Sequence, residues 1–213
     1  MPRPLWCAQS IHLARVDDDI VVLDVAADRY SALLGAAEAI RLAPDGRIVA
    51  AHDGLAEDLV RAGLAASTPP MPRRTPIVAL REAEVSPHPS RSERLRAGAA
   101  LVAATLAFRG KTFAALLDAP PPPPASTQAV AADRLAELIG AARRARPWIP
   151  FEGECLQRAY LMRAYLAKRR IATDWVFGVR TRPFAAHCWL QIGDRVVADR
   201  LERVRLYTPI MVA

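Results

Sequence analysis

A proline-rich segment, residues 68–76, divides the chain into two parts of opposite charge. Residues 1–70 carry six Arg against ten Asp and Glu, a net charge of −4. Residues 71–213 carry 23 Lys and Arg against 12 Asp and Glu, a net charge of +11. Proline lacks a backbone donor and is excluded from the interior of helices and sheets, so such a segment is typical of a linker. We therefore predict two domains, 1–70 and 71–213.

The positive total charge does not by itself indicate a nucleic-acid-binding protein. The formal net charge is +7, but only two of the 29 basic residues are Lys, and Ala is very frequent. Coding bias toward GC-rich codons explains this composition without a phosphate-binding surface. We expect no nucleic-acid partner. A basic module that binds nucleic acid through residues 71–213 is the alternative, and its binding would depend strongly on salt.

Cysteine content and hydropathy favour a soluble cytoplasmic protein. The three cysteines form no CxxC pair and no regular disulfide spacing. The N-terminus lacks the apolar region of a signal peptide, and the longest nearly apolar run, residues 97–108, is about half of the roughly 20 residues that a membrane span needs. The sequence contains no P-loop motif, so we assign it no nucleotide site. We therefore expect no membrane association, no metal and no cofactor.

The first 70 residues are predicted to form three short strands followed by helices. β-Branched and aliphatic runs separated by acidic turn residues indicate the strands, and helical spacing of apolar residues follows them. Asp53 is the predicted cap of the last helix, and Gly63 lies near its end. The predicted strands are 11–16, 20–25 and 30–34, and the predicted helices are 36–42, ended by Pro44, and 53–64.

Residues 71–213 are predicted to combine helices with antiparallel strands, which makes the whole chain α+β in class. Five consecutive prolines, 120–124, cannot be helical and are predicted to form a polyproline II loop. The clearest turn is Gly193-Asp194. The predicted helices are 92–108, 113–117, 129–145 and a segment that begins near Cys155. The predicted strands are 77–80, 174–180, 184–192, 195–199 and 204–208.

Cys155 is predicted to lie in the first turn of a helix. Gly and acidic residues precede it, neither Gly nor Pro follows up to Arg170, and three cations close the segment. Free N–H groups and the positive end of the helix dipole stabilise an anion there, so we expect a lowered thiol pKa. Cys155 also shares an apolar stripe with Ala159, Met162 and Leu166, so a buried, inert thiol is the alternative.

An imidazole and a carboxylate follow on neighbouring strands of a predicted hairpin. His187 lies on the strand 184–192, and Asp199 lies at the end of the next strand. If the two residues face each other directly, the hairpin is centred on Gly193. The loop must then have an odd number of residues, or a bulge must supply the offset, because a two-residue turn would place the pair on opposite faces. Cysteine, histidine and aspartate in this layout favour catalysis by a thiol nucleophile.

Residues from about 148 to the C-terminus resemble the leader peptidases of lasso-peptide biosynthesis, whose cores are transglutaminase-like cysteine hydrolases. The matching segments are Cys155-Leu-x-Arg158, Phe184-Ala-Ala-His-Cys-Trp189, Val197-Ala-Asp199 and Tyr207-Thr-Pro-Ile210. The N-terminal part, with Val22-Leu-Asp24 and Arg29-Tyr-Ser-Ala-Leu33, resembles the winged-helix precursor recognition element of that family. The resemblance implies a winged-helix-like domain at 1–70 and a transglutaminase-like cysteine peptidase domain, helices packed on an antiparallel sheet, at 71–213.

The resemblance also implies the roles of the site residues. Cys155 would be the nucleophile, His187 the general base and acid, and Asp199 the carboxylate that orients the histidine. The family commonly has Ala where this chain has Cys188, which places a second thiol beside the histidine. By geometry alone, the backbone N–H of Cys155 is one candidate oxyanion donor.

The resemblance assigns peptide binding to the N-terminal part. A leader peptide would add a strand beside the third predicted strand, at Tyr30, Leu33 and Leu34, with side chains entering a groove against the helix 53–64. Each of these three residues could instead be an ordinary core residue. A DNA-binding winged helix is disfavoured by the net charge of −4, because phosphate binding needs a positive surface.

The sequence therefore favours a cytoplasmic cysteine endopeptidase that binds a lasso precursor by its leader and cleaves the leader–core bond. A separate ATP-dependent cyclase of the asparagine-synthetase type would then close the ring, as the resemblance implies. Two other hypotheses stay open. The same three residues could transfer an acyl group to an amine, as in transglutaminases, or the chain could be a non-catalytic peptide-binding protein with Cys155 in its core.

Overall fold

The computed structural model describes residues 4–43, 45–118, 131–149 and 153–213. The chain forms two compact units. Unit 1 comprises Met1–Pro76, Phe177–Ala186 and Tyr207–Val212, and unit 2 comprises Ile77–Val176, His187–Leu206 and Ala213. The boundary between residues 70 and 71 as a division into two domains stays a prediction. The predicted polyproline segment, 120–124, lies outside the described residues, as does Pro44.

The described residues form twelve strands and six α-helices, and six of the strands come before the first helix. The strands are β1 (Leu5–Cys7), β2 (Ile11–Val16), β3 (Asp19–Asp24), β4 (Arg29–Leu33), β5 (Ile40–Leu42), β6 (Arg47–Ala50), β7 (Ala65–Ala66), β8 (Arg81–Glu82), β9 (Asp174–Thr181), β10 (Phe184–Ile192), β11 (Arg195–Val197) and β12 (Thr208–Val212). The helices are α1 (Asp53–Arg61), α2 (Arg91–Phe108), α3 (Phe113–Leu117), α4 (Ala132–Ala145), α5 (Cys155–Ala167) and α6 (Leu201–Val204), with a 3-10 turn at Arg146–Trp148.

The first three predicted strands are confirmed within one residue as β2, β3 and β4. They form an antiparallel sheet in the order β2-β3-β4, so β4 is an edge strand. The central strand β3 is buried along almost its whole length, from Asp19 to Leu23, because side chains on both of its faces are covered. A continuous apolar run such as residues 20–23 suits a strand of this kind.

The helix predicted at 36–42 is wrong, because residues 40–42 form the strand β5, which pairs with β6. The carboxylate of Asp19 accepts the Gly35 N–H at 2.8 Å, and the Ala37 N–H donates to a backbone carbonyl at 3.1 Å. Gly35 has a φ of +65°, a conformation that glycine adopts without strain. These bonds fix the chain in turns, and Ile40 is then buried in the core of unit 1.

The helix α1 confirms the last helix predicted in the N-terminal part, but its cap is different. The ring nitrogen Nδ1 of His52 accepts the Leu55 N–H at 3.1 Å, so His52 is the N-cap and Asp53 is the first helical residue. Asp53 still lies where a negative charge favours the helix dipole. Gly63, with a φ of +71°, follows the end of the helix as predicted.

Three segments of unit 2 depart from the predicted positions of the strands. Residues 77–80 are not a strand, and the pairing with β11 begins at β8, where Arg81 lies opposite Arg195. The side chain of Arg81 forms an ion pair with Asp194 at 3.1 Å, which favours this register. The strand predicted at 195–199 ends at Val197. The one predicted at 204–208 is replaced by the end of α6, a short turn and β12.

The core of unit 2 is formed where three helices meet. The helices α2, α4 and α5, all predicted from the sequence, pack together, and α2 contacts both of the others. Leu138, Ile139 and Leu166 are fully buried there. At Gly140 a side chain would lie 2.3 Å from the backbone oxygen of Ser86, so only glycine permits this close approach. Within the described residues, no helix is both long enough and apolar enough to cross a membrane.

A buried carboxylate, Glu93 of α2, binds side chains from α4 and α5. Its side chain accepts hydrogen bonds from Tyr165 at 2.9 Å, from Arg169 at 2.5 Å and from Arg134 at 3.0 Å. Burial alone would raise the pKa of Glu93, but hydrogen bonds from Arg169, Tyr165 and Arg134 outweigh it and lower the pKa to about 2. The carboxylate is therefore charged and fully paired although it is only 1 % exposed.

We expect Glu93→Gln to lower the free energy of unfolding by about 3 kcal/mol, because the substitution leaves the partly buried Arg169 without its counter-charge. The matched control is Glu137→Gln, which removes a partly exposed carboxylate that shares Arg134 and should cost less than about 1 kcal/mol. Urea unfolding at pH 7 measures both values. Because the pKa of Glu93 is depressed, its contribution is full above about pH 4.5 and is lost as pH falls toward 2. Equal losses in the two variants would contradict this role.

Candidate active site

Cys155 is the first residue of α5, as predicted from the sequence. Glu154 precedes it in an extended conformation as the N-cap residue. Ala159, Met162 and Leu166, which share its helical stripe, are buried, but Cys155 itself is half-buried. The stripe is therefore core over most of its length and reaches the surface at the cysteine. The structure does not support the inert alternative, in which Cys155 is sealed in the core.

His187 and Asp199 are in direct contact, although the hairpin between them has a two-residue turn. The pairs Leu190–Val197 and Ile192–Arg195 fix the turn at Gly193-Asp194, so of the two predicted alternatives, an odd-numbered loop or a bulge, the first is absent. The offset comes instead from the end of β11, where Ala198 adopts a φ of +61° and the ladder stops. Asp199 Oδ2 then lies 2.7 Å from His187 Nε2.

The carboxylate of Asp199 is held by its neighbours along the chain. Its second oxygen, Oδ1, accepts the Arg200 N–H at 2.8 Å. Next along the chain, the Leu201 N–H donates to Glu82 Oε1 at 2.7 Å. Glu82 belongs to β8, which lies parallel to β11 at the edge of the sheet. Sequence analysis missed Glu82, since nothing local marks a residue more than a hundred positions away as a support for Asp199.

The three groups shift one another's pKa in the directions that a thiolate–imidazolium pair requires. Hydrogen bonds with the Cys188 thiol and with His187 outweigh burial and lower the pKa of Cys155 to about 4. Burial works against a charged ring, but hydrogen bonds with Asp199 and Cys155 raise the pKa of His187. Burial would raise the pKa of Asp199, yet hydrogen bonds from His187 and the Arg200 N–H lower it.

The histidine can serve both partners at once. Nε2 is engaged with Asp199, so Nδ1 is the nitrogen left for Cys155. The ring is 5 % exposed and stacks on Trp189 with the centroids 6.0 Å apart, which holds its plane. An oriented imidazole between a thiol and a carboxylate can take the thiol proton and later donate it to a leaving group.

Cys188 has a larger effect on the site than the sequence indicated. Its thiol is 4 % exposed, and hydrogen bonding to Cys155 together with burial raises its pKa, so it stays protonated. A protonated Cys188 can donate its S–H to the thiolate of Cys155. Its position directly after His187 was the only signal in the sequence.

We expect iodoacetamide to alkylate Cys155 almost as fast at pH 5.5 as at pH 8, because a thiol with a pKa of about 4 remains a thiolate throughout this range. Below about pH 4 the rate should fall tenfold per pH unit. The buried thiols Cys7 and Cys188 should stay unmodified in the folded protein. Mass spectrometry of the digested protein at each pH measures all three rates.

The control for this experiment is His187→Ala, which removes one of the two hydrogen-bonding partners. The pKa of Cys155 should rise, so the rate at pH 5.5 should drop at least tenfold while the rate at pH 9 changes little. Alkylation of Cys7 and Cys188 without alkylation of Cys155 would contradict the geometry and favour a non-catalytic protein.

The predicted leader-binding residues occupy three different environments in unit 1. Leu33 packs against the core cluster, which also contacts Leu55 of α1. Tyr30 lies three residues before Leu33 on β4, and this odd spacing directs its side chain to the opposite face of the strand. There the ring centroid of Tyr30 is 5.9 Å from that of Phe184. Leu34 follows the strand and is 81 % exposed. The structure therefore does not gather the three side chains on one surface.

Comparisons with known proteins identify a family for this chain. Residues 97–212, more than half of the chain, match the transglutaminase-like superfamily. The chain therefore belongs to the transglutaminase-like superfamily. It is also similar to the microcin J25-processing protein McjB of Escherichia coli, with 39 % identity over 49 residues. That match spans 23 % of this chain and 24 % of McjB. No solved structure matches the chain significantly.

The described residues contain no group of three or more His, Cys, Asp and Glu side chains that could hold a metal ion. The chemistry that the site offers through its own side chains is nucleophilic attack by a thiolate with proton transfer through one histidine.

Proposed function

We propose that this protein is a cysteine endopeptidase that removes the leader from a ribosomally made lasso precursor. The observation that carries the proposal is that Cys155, half-buried at the start of α5, lies in hydrogen-bonding contact with His187, whose ring is 2.7 Å from Asp199. Membership of the transglutaminase-like superfamily supports the chemistry, and the similarity to a microcin J25-processing protein supports the substrate class.

The proposed reaction has two steps through a thioester. The thiolate of Cys155 attacks the carbonyl of the last leader residue, and His187 donates its proton to the departing amine of the core peptide. Water then attacks the thioester with His187 as the base, which releases the leader as a free acid and restores the thiolate. The N–H groups at the start of α5, including that of Cys155, are candidate donors to the oxyanion.

Purified protein should cleave its precursor at one bond, which mass spectrometry of the products identifies. Cys155→Ala should abolish cleavage, and His187→Ala should lower kcat by a factor of about a thousand or more. Asp199→Asn keeps the shape but loses the charge that fixes the tautomer, so kcat should fall by about a hundredfold to ten-thousandfold. The control is His88→Ala, which changes an exposed histidine of the same unit. Undiminished cleavage by Cys155→Ala or His187→Ala would refute the assignment.

The N-terminal part, proposed to be winged-helix-like, would recognise the leader. Among the described residues β4 lies at the edge of its sheet, which is the position where a peptide adds as a further strand. Leu33 and Leu55 contact one core cluster, which places β4 and α1 beside the same apolar interior. Leader side chains would then contact Tyr30 and Leu34, and Leu33 would support the strand from inside.

We expect Leu34→Asp to raise the Kd for a fluorescent leader peptide at least tenfold, because the new carboxylate would replace an apolar contact beside the added strand. Tyr30→Ala should raise it as well, and kcat at saturating precursor should stay within twofold. The matched control is Val49→Asp, an exposed apolar residue of unit 1 on another strand. Fluorescence anisotropy measures Kd. Equal effects of Leu34→Asp and Val49→Asp would contradict leader binding at β4.

Acyl transfer is the second candidate, and the name of the superfamily favours it. An amine rather than water would resolve the same thioester. Incubation with a labelled amine distinguishes the two, because a transferase incorporates the label and a peptidase releases free acid.

Under the primary proposal the protein acts in the cytoplasm, and a separate ATP-dependent, asparagine-synthetase-like cyclase takes up the released core peptide.

A further inference from the structure

Unit 1 contains a cavity of about 430 Å³ that the peptidase chemistry does not use. One wall is formed by residues of β1 and β2 with their connection, including Cys7 and His12. Residues 71–76 form a second wall, and residues 209–212 of β12 form a third. Aliphatic side chains such as Leu13 and Met211 contribute to the lining. We refer to this space as the Arg73 cavity.

The lining of the Arg73 cavity is cationic. Among the described residues that line it are three arginines, Arg47, Arg73 and Arg74, and none of those described residues is Asp or Glu. This is the reverse of the surrounding sequence, since residues 1–70 carry a net charge of −4. Arg47 also forms an ion pair with the exposed Asp45 at 3.7 Å, which offsets part of its charge.

Arg73 is a half-buried cation whose bonding partners are neutral. Its Nη1 donates to the Ile11 carbonyl at 2.6 Å, and its Nη2 donates to the Ala8 carbonyl at 2.8 Å. Among the described residues, no carboxylate forms an ion pair with Arg73. Burial lowers the pKa of Arg73, which means that its charge is held at a cost. A buried cation in this condition is stabilised by an anion that enters from outside.

The neighbours of Arg73 leave its charge uncompensated. Burial and the positive charge of Arg73 lower the pKa of His12 to about 4, so His12 is neutral near pH 7. Burial raises the pKa of the Cys7 thiol, so Cys7 is protonated as well. Neither Cys7 on β1 nor His12 on β2 therefore supplies a negative charge to the cavity. The pKa of His12 would change when an anion binds there.

We propose that the Arg73 cavity binds a carboxylate carried by a peptide, either an acidic side chain or a free C-terminus. The guanidinium presents a planar fork that matches a carboxylate, and the aliphatic walls suit the apolar residues beside it. A polyphosphate is a poorer fit, because the part of the lining that the structure describes contains no lysine and no start of a helix. The inference deepens the proposed function, on which it rests for the identity of the peptide as substrate.

The test uses the full-length Cys155→Ala chain, so that binding is measured without turnover. Three peptides and inorganic phosphate are compared by isothermal titration calorimetry at pH 6.5. The peptides are Ac-Ala-Leu-Glu-Leu-Ala-NH2, its Gln analogue, and Ac-Ala-Leu-Ala with a free C-terminus. We expect the Glu peptide or the free C-terminus to bind at least tenfold more tightly than the neutral Gln analogue. Which of the two binds identifies the source of the carboxylate. Equal affinity of all three peptides, or preference for inorganic phosphate, would overturn the proposal.

The location is tested on His12. With ¹³C-labelled histidine, binding of the carboxylate peptide should raise the pKa of His12 by one unit or more, because the bound charge offsets Arg73. His12→Gln assigns the signal. A carboxylate peptide that binds while the His12 signal stays unchanged occupies another place and refutes this site.

Arg73→Lys keeps the charge and loses the fork, so we expect tenfold weaker binding of the carboxylate peptide. Arg73→Met should abolish the preference over the Gln analogue. If either variant fails to fold, the comparison of the Glu and Gln peptides on the unmodified cavity still decides the outcome. Because binding is measured on a chain without its nucleophile, failure of precursor cleavage in the wild-type protein would leave this result intact, and the reverse also holds.

Discussion

The pairing of the buried carboxylate of Glu93 is the interaction on which the rest of unit 2 depends. A single charge in the core costs several kcal/mol unless it is paired, so α4 and α5 must supply Arg134, Tyr165 and Arg169 in fixed positions. Two of these partners lie on or just beyond the helix that begins with Cys155. The ion cluster therefore fixes the axis of α5 at one end, and the position of the thiol at the other end follows from it.

The acidity of Cys155 is a local property that this framework makes possible. Hydrogen bonds with the S–H of Cys188 and with the imidazole of His187 converge at the first residue of α5. The start of a helix is also a position where the helix dipole favours a thiolate. Each of these contributions to the pKa of Cys155 has its full effect only within a few ångströms. A thiol one turn further along the same stripe, at Ala159, would lie in the buried core and would stay protonated. The stripe that made Cys155 look inert in the sequence is what anchors it.

The sequence determined the elements with strong local patterns and failed where distant residues decide. The helix α5 and the strand β10 were predictable, because each combines a continuous run with clear boundaries. Residues 36–42 have helical spacing but form turns and β5, because Asp19, far away in sequence, accepts the Gly35 N–H. The contact between His187 and Asp199 was predicted. Its cause, the left-handed conformation of Ala198, was not predictable, because alanine rarely adopts this conformation.

That position of Ala198 limits how proteins of this architecture can diverge. The ladder between β10 and β11 ends at Val197, and one left-handed residue then carries the chain to Asp199. Inserting or deleting a residue in this stretch would reverse the side of the sheet on which the acid emerges. Changes in chain length are therefore expected to accumulate at the Gly193-Asp194 turn and in surface loops, whereas the spacing from Val197 to Asp199 should be inherited unchanged.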